Sequence, residues 1–220
     1  MEIKWLGWSC FRIKTSGKTI YFDPVVEDSE PADLVLISHS HSDHTDLGTL
    51  SRIRKPSTTV FTSAQNSPAV KGTGLIPGEK HVVGPVTVKT CQAYNLVHMR
   101  SPGNPFHPKG FGLGWIVESE GKRLYHTGDT DLIPEMEKLG HIDVMLVPIS
   151  GVYVMDVDEA VKAVKLIRPT TVIPMHYGVI DIPGENPTHY DLQADPNAFA
   201  EKLKGIAEVV ILKPGESINI

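Results

Sequence analysis

The feature that most constrains this chain is a histidine-rich segment that directly follows a short apolar run. Residues 34–37 are all apolar, and residues 38–44 read Ser-His-Ser-His-Ser-Asp-His. A continuous apolar run of this length suits a strand that is buried on both faces, so the polar segment lies at the end of that strand. Imidazole and carboxylate groups are ligands for zinc and its first-row neighbours. The His-x-His-x-Asp-His pattern therefore predicts a metal site rather than a solvated, serine-rich turn.

The spacing inside this segment divides the side chains between two ions. A tight loop at a strand end directs His39 and His41 at one ion, and Asp43 and His44 then reach a second ion on the other side. Two ions about 3.5–4 Å apart can share a hydroxide and clamp a substrate oxygen. We therefore expect a binuclear site built largely from one loop.

The rest of the chain predicts layered sheets with helices on them. Alternating apolar and polar residues predict strands over the first 37 residues, and a short helix is predicted over 46–54. Asp156 with Glu159 three positions later predicts a capped helix over 156–167, and Asp195 before a proline predicts another. Residues 95–110 are rich in proline and glycine and predict a long loop. We expect an α/β or α+β fold, with residues 1–220 as a single domain.

Four segments together resemble the metallo-β-lactamase superfamily. They are residues 21–24 (Tyr-Phe-Asp-Pro), 38–44, 125–130 (Tyr-His-Thr-Gly-Asp-Thr) and 174–178 (Pro-Met-His-Tyr-Gly), in the order of that superfamily. The resemblance implies a four-layer αβ/βα sandwich with the metals at one edge of the two sheets. It implies the following metal ligands: His39, His41, Asp43, His44, Asp129 and His176. It also implies that Asp23 supports the histidine loop from behind.

Two of these segments indicate a narrower group. Residues 125–130 and 174–178, together with the chain length, are similar to the small metal-dependent hydrolases grouped with L-ascorbate-6-phosphate lactonase. Two of the implied ligands also have simpler possible roles that involve no metal. Asp129 could serve as a helix N-cap, and His176 could be a hydrogen-bonded histidine of the core.

One position departs from the superfamily pattern. A further histidine usually completes the first metal site, but after the strand ending at Ala93 this chain has Tyr94 and Asn95. We favour His107 as the substitute because its neighbours can pin it on the irregular loop. His98 on the same loop and Asn95 as an oxygen ligand are the alternatives. A weakened first site would bind one ion in place of two, or prefer a different ion.

Three further side chains are assigned roles around the metals. Asp23 is expected to orient ligating imidazoles, because carboxylates behind metal ligands do this. His126 alternates with Tyr125 along a predicted strand, and it either supports the site or serves only the structure. Tyr177 is a candidate hydrogen-bond donor to substrate. Trp8 is assigned to the core.

The combined prediction is a metal-dependent hydrolase. Divalent ions, expected to be two of zinc with manganese or iron as alternatives, generate hydroxide at neutral pH. The hydroxide attacks an ester, lactone or phosphoester-type bond, and Asp43 orients it as well as binding metal. Lactonase, esterase and phosphodiesterase activities all fit this chemistry, because a fold does not determine a substrate.

Charge and composition weigh the rival functions. The net charge of −5 argues against a dedicated nucleic-acid binder, so a superfamily phosphodiesterase or nuclease is the alternative, not the first choice. A redox di-iron protein would carry glutamate where His41 stands. A non-catalytic metal-binding scaffold is disfavoured by the nearly complete ligand set.

We expect a small-molecule substrate, no membrane association and a cytoplasmic location. The apolar runs reach only about four residues, whereas a membrane-spanning helix needs about 20. A homo-oligomer stays open.

Overall fold

The computed structural model describes residues 1–26, 28, 30–182 and 188–220. The first nine strands are β1 (Glu2–Gly7), β2 (Cys10–Thr15), β3 (Lys18–Phe22), β4 (Ala32–Ile37), β5 (Arg54–Ser63), β6 (Thr73–Leu75), β7 (Lys80–Val83), β8 (Val86–Ala93) and β9 (Met99–Ser101). The other nine are β10 (Asn104–Pro105), β11 (Gly112–Ser119), β12 (Lys122–His126), β13 (Val144–Pro148), β14 (Thr171–Met175), β15 (Gly178–Ile182), β16 (Thr188–Leu192), β17 (Glu208–Val209) and β18 (Ser217–Asn219). The helices are α1 (Leu47–Ile53), α2 (Ser67–Val70), α3 (Val157–Ile167) and α4 (Pro196–Lys202), with a 3₁₀ helix at Pro134–Lys138.

Within the described residues, most strands belong to two mixed sheets of seven strands. The first sheet has the order β18-β1-β2-β3-β4-β5-β6, and the second has the order β17-β14-β13-β12-β11-β8-β7. Each sheet combines antiparallel neighbours with a parallel part. The parallel strands are β3, β4, β5 and β6 in the first sheet and β12, β13, β14 and β17 in the second. Strands β9 and β10 form one small hairpin, and β15 and β16 form another.

Three apolar clusters show how the layers stack. In β4, Leu34 and Leu36 face a central cluster that both large sheets share, while Val35 and Ile37 face an outer cluster that includes Leu50 of α1. A third cluster lies on the outer face of the second sheet and contains side chains of α3 and α4. The order is therefore helices, sheet, sheet, helices, and the predicted α/β sandwich is confirmed. Continuous apolar strands such as β4 arise because both of their faces are buried.

The loops that carry the predicted ligands leave the ends of four strands. Residues 38–44 follow β4, residues 94–98 follow β8, residues 127–131 follow β12 and His176 follows β14. Hydrogen bonds tie these loops together across the two sheets, including Leu113 N–H to the Ser38 carbonyl and His176 N–H to the Trp8 carbonyl. The sandwich therefore brings distant parts of the sequence to one edge, where open α/β sheets commonly bind ligands.

The elements differ from the sequence-based expectation in three places. The predicted loop over 95–110 contains the β9–β10 hairpin, and the β15–β16 hairpin has no predicted counterpart. The spacing of Phe199, Leu203 and Ile206 predicts a longer helix after Asp195, but α4 ends at Lys202. The chain beyond it follows shorter turns such as Leu203 N–H to Ala200 O. None of the helices among the described residues combines the length and the apolar character that a membrane crossing needs.

Candidate metal centre

Three histidines form the first cluster: His39, His41 and His107. The Nε2 atom of His39 lies 3.0 Å from Nδ1 of His41, and Nε2 of His107 lies 3.2 Å from the same atom. Ligand atoms about 2.0–2.1 Å from a tetrahedral zinc ion are separated by about 3.3 Å. The nitrogen atoms of the first cluster are therefore spaced as ligands of one ion would be.

The second cluster contains two aspartates and two histidines: Asp43, His44, Asp129 and His176. Asp129 contacts both histidines, with Oδ1 3.3 Å from His44 Nε2 and Oδ2 3.1 Å from His176 Nε2. Asp43 Oδ2 lies 3.5 Å from His44 Nε2 and 3.7 Å from His176 Nε2. All four side chains are buried, so the charge of the carboxylates is held away from water.

Asp129 connects the two clusters. Its Oδ2 atom lies 3.3 Å from Nε2 of His107 in the first cluster and 3.1 Å from Nε2 of His176 in the second. The turn before it requires glycine, because a Cβ atom on Gly128 would lie 2.5 Å from the Leu113 carbonyl oxygen. Gly128 also has a φ of +63°, which other residues rarely adopt. The backbone thereby delivers one carboxylate to both clusters.

The unsatisfied atoms of the second cluster fit a bound cation. Nε2 of His44, Nε2 of His176 and Oδ1 of Asp129 are buried and have no hydrogen-bond partner within the part of the chain that the structure describes. A buried polar atom without a partner costs about 1–3 kcal/mol, so several in one place call for an explanation. Their imidazole and carboxylate chemistry matches the preferences of divalent first-row metals, and the cluster therefore fits such an ion.

Asp23 supports the histidine loop at two points. Its Oδ2 atom accepts a hydrogen bond from His44 Nδ1 at 2.7 Å and from the Ser38 hydroxyl at 2.8 Å. Nδ1 of His39 lies 2.9 Å from the same hydroxyl. Partners of this kind fix which ring nitrogen of a histidine remains for a metal, here Nε2 in both residues. These contacts place Asp23 behind the histidine loop, and its supporting role toward a metal stays a prediction.

Asn95 and His98 do not lie among the candidate ligands; they belong to the support of His107. The Asn95 Oδ1 atom accepts from the backbone N–H of His107 and lies 2.8 Å from Nδ1 of its ring. The Asn95 side-chain amide donates to Asp131, which also pairs with His98 Nδ1. Of the three candidates for the missing position, the structure therefore brings His107 to the first cluster and makes Asn95 its hydrogen-bond partner.

Trp8 is a contact that sequence reasoning missed. Its indole N–H donates to Asp43 Oδ2 at 3.1 Å, and its ring lies 4.4 Å from that of His176, centroid to centroid. Ser150 lies behind His176, with its Oγ atom 3.3 Å from Nδ1. Trp8 is buried, as its assignment to the core predicts, but it also holds the candidate ligand Asp43 by a hydrogen bond. An isolated tryptophan in a turn carries no sequence signal for a contact with a metal ligand.

Three of the seven non-glycine residues with positive φ in the described part of the chain lie at this centre. Trp8, Asp23 and His176 have φ values of 56°, 42° and 58°, in the left-handed region that bulky residues avoid. Such conformations cost of order 1–3 kcal/mol each and persist where the surroundings over-determine them. All three residues contact a candidate ligand or are one, so the strain supports a functional reason for their placement.

The two clusters differ in charge. Burial lowers the pKa of His39 well below its ordinary value and that of His107 to about 4, so both are neutral at pH 7. Burial also lowers the pKa of His44, but the charges of Asp129 and Asp43 outweigh it and raise that pKa well above the ordinary value. The pKa of Asp43 falls to about 2, because the charge of His44 outweighs the effect of burial. A cation held by the second cluster would take the place of the proton on His44.

A cavity of about 180 Å³ opens onto the centre. Four of its lining residues are candidate ligands, and the remaining lining residues are Ser42, Arg100, Phe106, Tyr153 and Tyr190. A water molecule occupies about 30 Å³ in the liquid, so the cavity has room for a small molecule in contact with both clusters.

His126 and Tyr177 lie next to the centre but not on the cavity. His126 Nε2 donates to the Ser9 carbonyl, and its Nδ1 accepts from Gly128 N–H at 3.2 Å, which supports the turn that carries Asp129. The Tyr177 ring stacks on Trp5 at 5.4 Å and packs against the central cluster. Tyr177 is not among the described residues that line the cavity.

A two-sheet sandwich with histidine and aspartate clusters at one edge defines a class, the metal-dependent hydrolases of the metallo-β-lactamase superfamily. The β-lactamase superfamily domain matches residues 2–176 of this chain. The chain belongs to that family.

Individual relatives agree with this assignment over the full length. The chain is 34% identical over 235 residues to a UPF0173 metal-dependent hydrolase of Pyrococcus abyssi, with 100% of both proteins covered. A crystal structure of a metal-dependent hydrolase of Parabacteroides distasonis superimposes with a TM-score of 0.82 at 26% identity, covering 95% of this chain and 91% of that one. The metallo hydrolase Igni18 of Ignicoccus hospitalis superimposes with a TM-score of 0.77 at 28% identity, covering 99% and 97%.

Proposed function

We propose that this metal-dependent hydrolase holds two divalent ions and cleaves an ester, lactone or phosphoester-type bond of a small molecule. The observation that carries the proposal is that Asp129 contacts both clusters, through His107 on one side and through His44 and His176 on the other. A carboxylate shared by two groups of histidine nitrogen ligands is an arrangement suited to a pair of ions. We also infer that residues 1–220 act as a single domain, because both sheets contribute to the central apolar cluster.

The ligand assignment follows the two clusters. His39, His41 and His107 would hold one ion, while Asp43, His44 and His176 would hold the other, with Asp129 between them. Bound divalent ions supply Lewis acidity, which lowers the pKa of water towards about 7 and polarises a carbonyl or phosphoryl oxygen. The nitrogen-rich ligand set favours zinc, with manganese or iron as the alternatives.

Asp43 has a second role in this proposal. Its carboxylate lines the cavity, and its pKa of about 2 keeps it ionised at neutral pH. One of its oxygens accepts the Trp8 N–H, which prevents the carboxylate from turning. An ionised and oriented carboxylate accepts a hydrogen bond from the attacking water and directs its lone pair at the substrate.

The cavity favours small substrates over polymers. Its volume of about 180 Å³ lies below the usual range of about 300–1,000 Å³ for sites that enclose drug-sized ligands. Among the described residues that line it, Arg100 is the sole lysine or arginine. A nuclease needs a track of cations along the phosphate backbone. A small-molecule hydrolase therefore explains the cavity better than a superfamily nuclease does.

Metal stoichiometry and a substrate panel test this proposal together. Tag-free protein would be reloaded with zinc, desalted and subjected to elemental analysis, then assayed with γ-butyrolactone, 4-nitrophenyl acetate and bis(4-nitrophenyl) phosphate. We expect about two ions per chain and turnover of at least one compound that is lost with Asp129→Ala. One ion per chain would contradict the binuclear assignment. Two ions without turnover of any compound would favour the metal-binding scaffold.

A further inference from the structure

Arg100 stands at the wall of the cavity on a short hairpin. It lies in β9, which pairs with β10 through a turn at Gly103, and its side chain lines the cavity together with Asp43 and Asp129. Phe106, directly after β10, also lines the cavity, as does Tyr153. The hairpin therefore delivers a cation to the space that a substrate would occupy.

Within the described residues, Arg100 differs from the nearby Lys109 in having no acidic partner. Its guanidinium carbon lies 4.9 Å from the centre of the Phe106 ring, and that ring contacts Tyr153 edge-on at 4.8 Å. In the described part of the chain, the Arg100 side chain forms no ion pair or hydrogen bond. Lys109 makes an informative contrast, because it also lies over a ring, Tyr94, yet it is bound to Glu135 at 2.7 Å.

The Phe106 ring holds the guanidinium in place without neutralising its charge. A cation over an aromatic face is attracted by the ring, and the N–H groups at the edge of a guanidinium remain available for hydrogen bonds. An arginine edge binds a carboxylate or a phosphate through two parallel hydrogen bonds. The side chain is therefore presented to the cavity as an unoccupied site for an oxyanion.

The charge of the centre makes such a cation unfavourable unless an anion accompanies it. Two divalent ions held by the clusters would carry more positive charge than the carboxylates of Asp43 and Asp129 neutralise, so they would repel a guanidinium beside them. A negatively charged group between Arg100 and the centre removes that repulsion. A neutral substrate leaves it in place.

We propose that the substrate is a small molecule carrying a carboxylate or phosphate group that Arg100 binds, at a distance from the bond that is cleaved. The proposal rests on the function proposed above, because it places the reacting bond at the two clusters. Arg100 is then a specificity-determining residue, and Phe106 positions it.

Binding of non-reacting anions tests the site without turnover. Zinc-loaded protein would be titrated calorimetrically with inorganic phosphate and, separately, with succinate. We expect Arg100→Gln to weaken binding of the preferred anion by roughly tenfold to hundredfold, the range of a charge-assisted hydrogen-bonded pair. Arg100→Lys, which keeps the charge but not the two-pronged geometry, should lie between Arg100→Gln and the parent. The anion that shows the larger loss identifies the group as phosphate or carboxylate.

Lys109→Gln is the matched control for this titration. It removes a cation that also lies over an aromatic ring, on the same stretch of chain, but outside the cavity. We expect anion affinity to stay within about twofold of the parent. Equal affinities in the parent, Arg100→Gln and Lys109→Gln proteins would overturn the proposal.

A pair of lactones separates this inference from the proposed function. γ-Butyrolactone with a carboxylate on the ring carbon next to the ring oxygen would be compared with its carboxamide, which has the same shape and no charge. We expect a higher kcat/KM for the carboxylate, and a ratio close to one after Arg100→Gln. Cleavage of both lactones at equal rates in the parent would overturn the role of Arg100 while the hydrolase proposal stands. Anion binding that depends on Arg100 without cleavage of either lactone would support the anion site while the lactone reaction fails.

Discussion

The two clusters of the candidate metal centre differ in composition and in origin. The first cluster contains three histidines, of which burial keeps His39 and His107 neutral. The second contains two carboxylates and two histidines, and its charges raise the pKa of His44. A cation therefore enters the first cluster without displacing a proton but must replace one in the second, where the carboxylates offset its charge more completely. Two ions of the same element would thus be held by different physical means.

Their supports differ as well. His107 in the first cluster depends on Asn95, which belongs to a network of the 94–98 and 127–131 loops. Asp43 and His176 in the second depend on Trp8, which belongs to the turn between β1 and β2. The supports come from opposite sheets, so the clusters can be perturbed one at a time.

The largest effect is expected from the residue that the clusters share. Asp129→Ala removes the carboxylate between His107, His44 and His176, and both ions should be lost. Because even partners behind metal ligands change affinity by about 10–100-fold, the loss here should exceed about 100-fold in metal affinity and in kcat/KM. The measurement is elemental analysis with a chelator competition titration. An Asp129→Ala protein that keeps one ion at normal affinity would show that the clusters are independent.

A pair of single substitutions should separate the clusters. His107→Ala is expected to remove the ion of the first cluster, and His176→Ala that of the second, so each protein should bind about one ion per chain. The two proteins should retain different ions. The His107→Ala protein should keep the ion of the second cluster, whose positive charge the carboxylates offset. Stoichiometry and stepwise binding constants check this. Loss of both ions in either protein would mean that one cluster cannot form without the other.

Smaller effects are expected from the supporting residues. Trp8→Phe keeps an aromatic ring beside His176 and removes only the N–H that Asp43 accepts. We expect about 10–100-fold weaker binding at the second cluster and little change at the first. Asn95→Ala should produce the reverse pattern, because its amide oxygen accepts from His107. Thermal unfolding of both metal-free proteins controls for general damage to the fold, and equal losses at the two clusters would contradict separate supports.

The smallest effect is expected at Tyr177, which adjoins the second cluster without lining the cavity. Its ring stacks on Trp5, and burial raises the pKa of its hydroxyl to about 12. We expect Tyr177→Phe to change kcat/KM by less than about twofold, since the ring contact survives. A loss of tenfold or more with unchanged metal content would instead support the substrate-binding role that the sequence suggests.

Local sequence was sufficient for features that depend on neighbouring residues. The apolar run of β4 predicts burial on both faces, and the strand carries Leu34 into the central cluster and Val35 into an outer one. The ligand-rich loop after it is a single stretch of chain, so its four candidate ligands are recognisable without knowing the fold. The capped helix after Asp156 is determined in the same way and forms with both reciprocal hydrogen bonds.

The remaining features depend on contacts between residues far apart in sequence, and only the tertiary structure decided them. The sequence favours His107 over His98 and Asn95 for the missing position but does not exclude either. Hydrogen bonds to Asp131 direct Asn95 and His98 away from the first cluster and leave His107 in it. Trp8 reaches Asp43 because two strand turns from different parts of one sheet meet at its edge. Arg100 reaches the cavity because a hairpin within the predicted loop turns it there. The sequence determines which ligand side chains are available. Which of them meet depends on the direction of each side chain at the shared edge of the sheets. That direction is set by the packing of the two whole sheets.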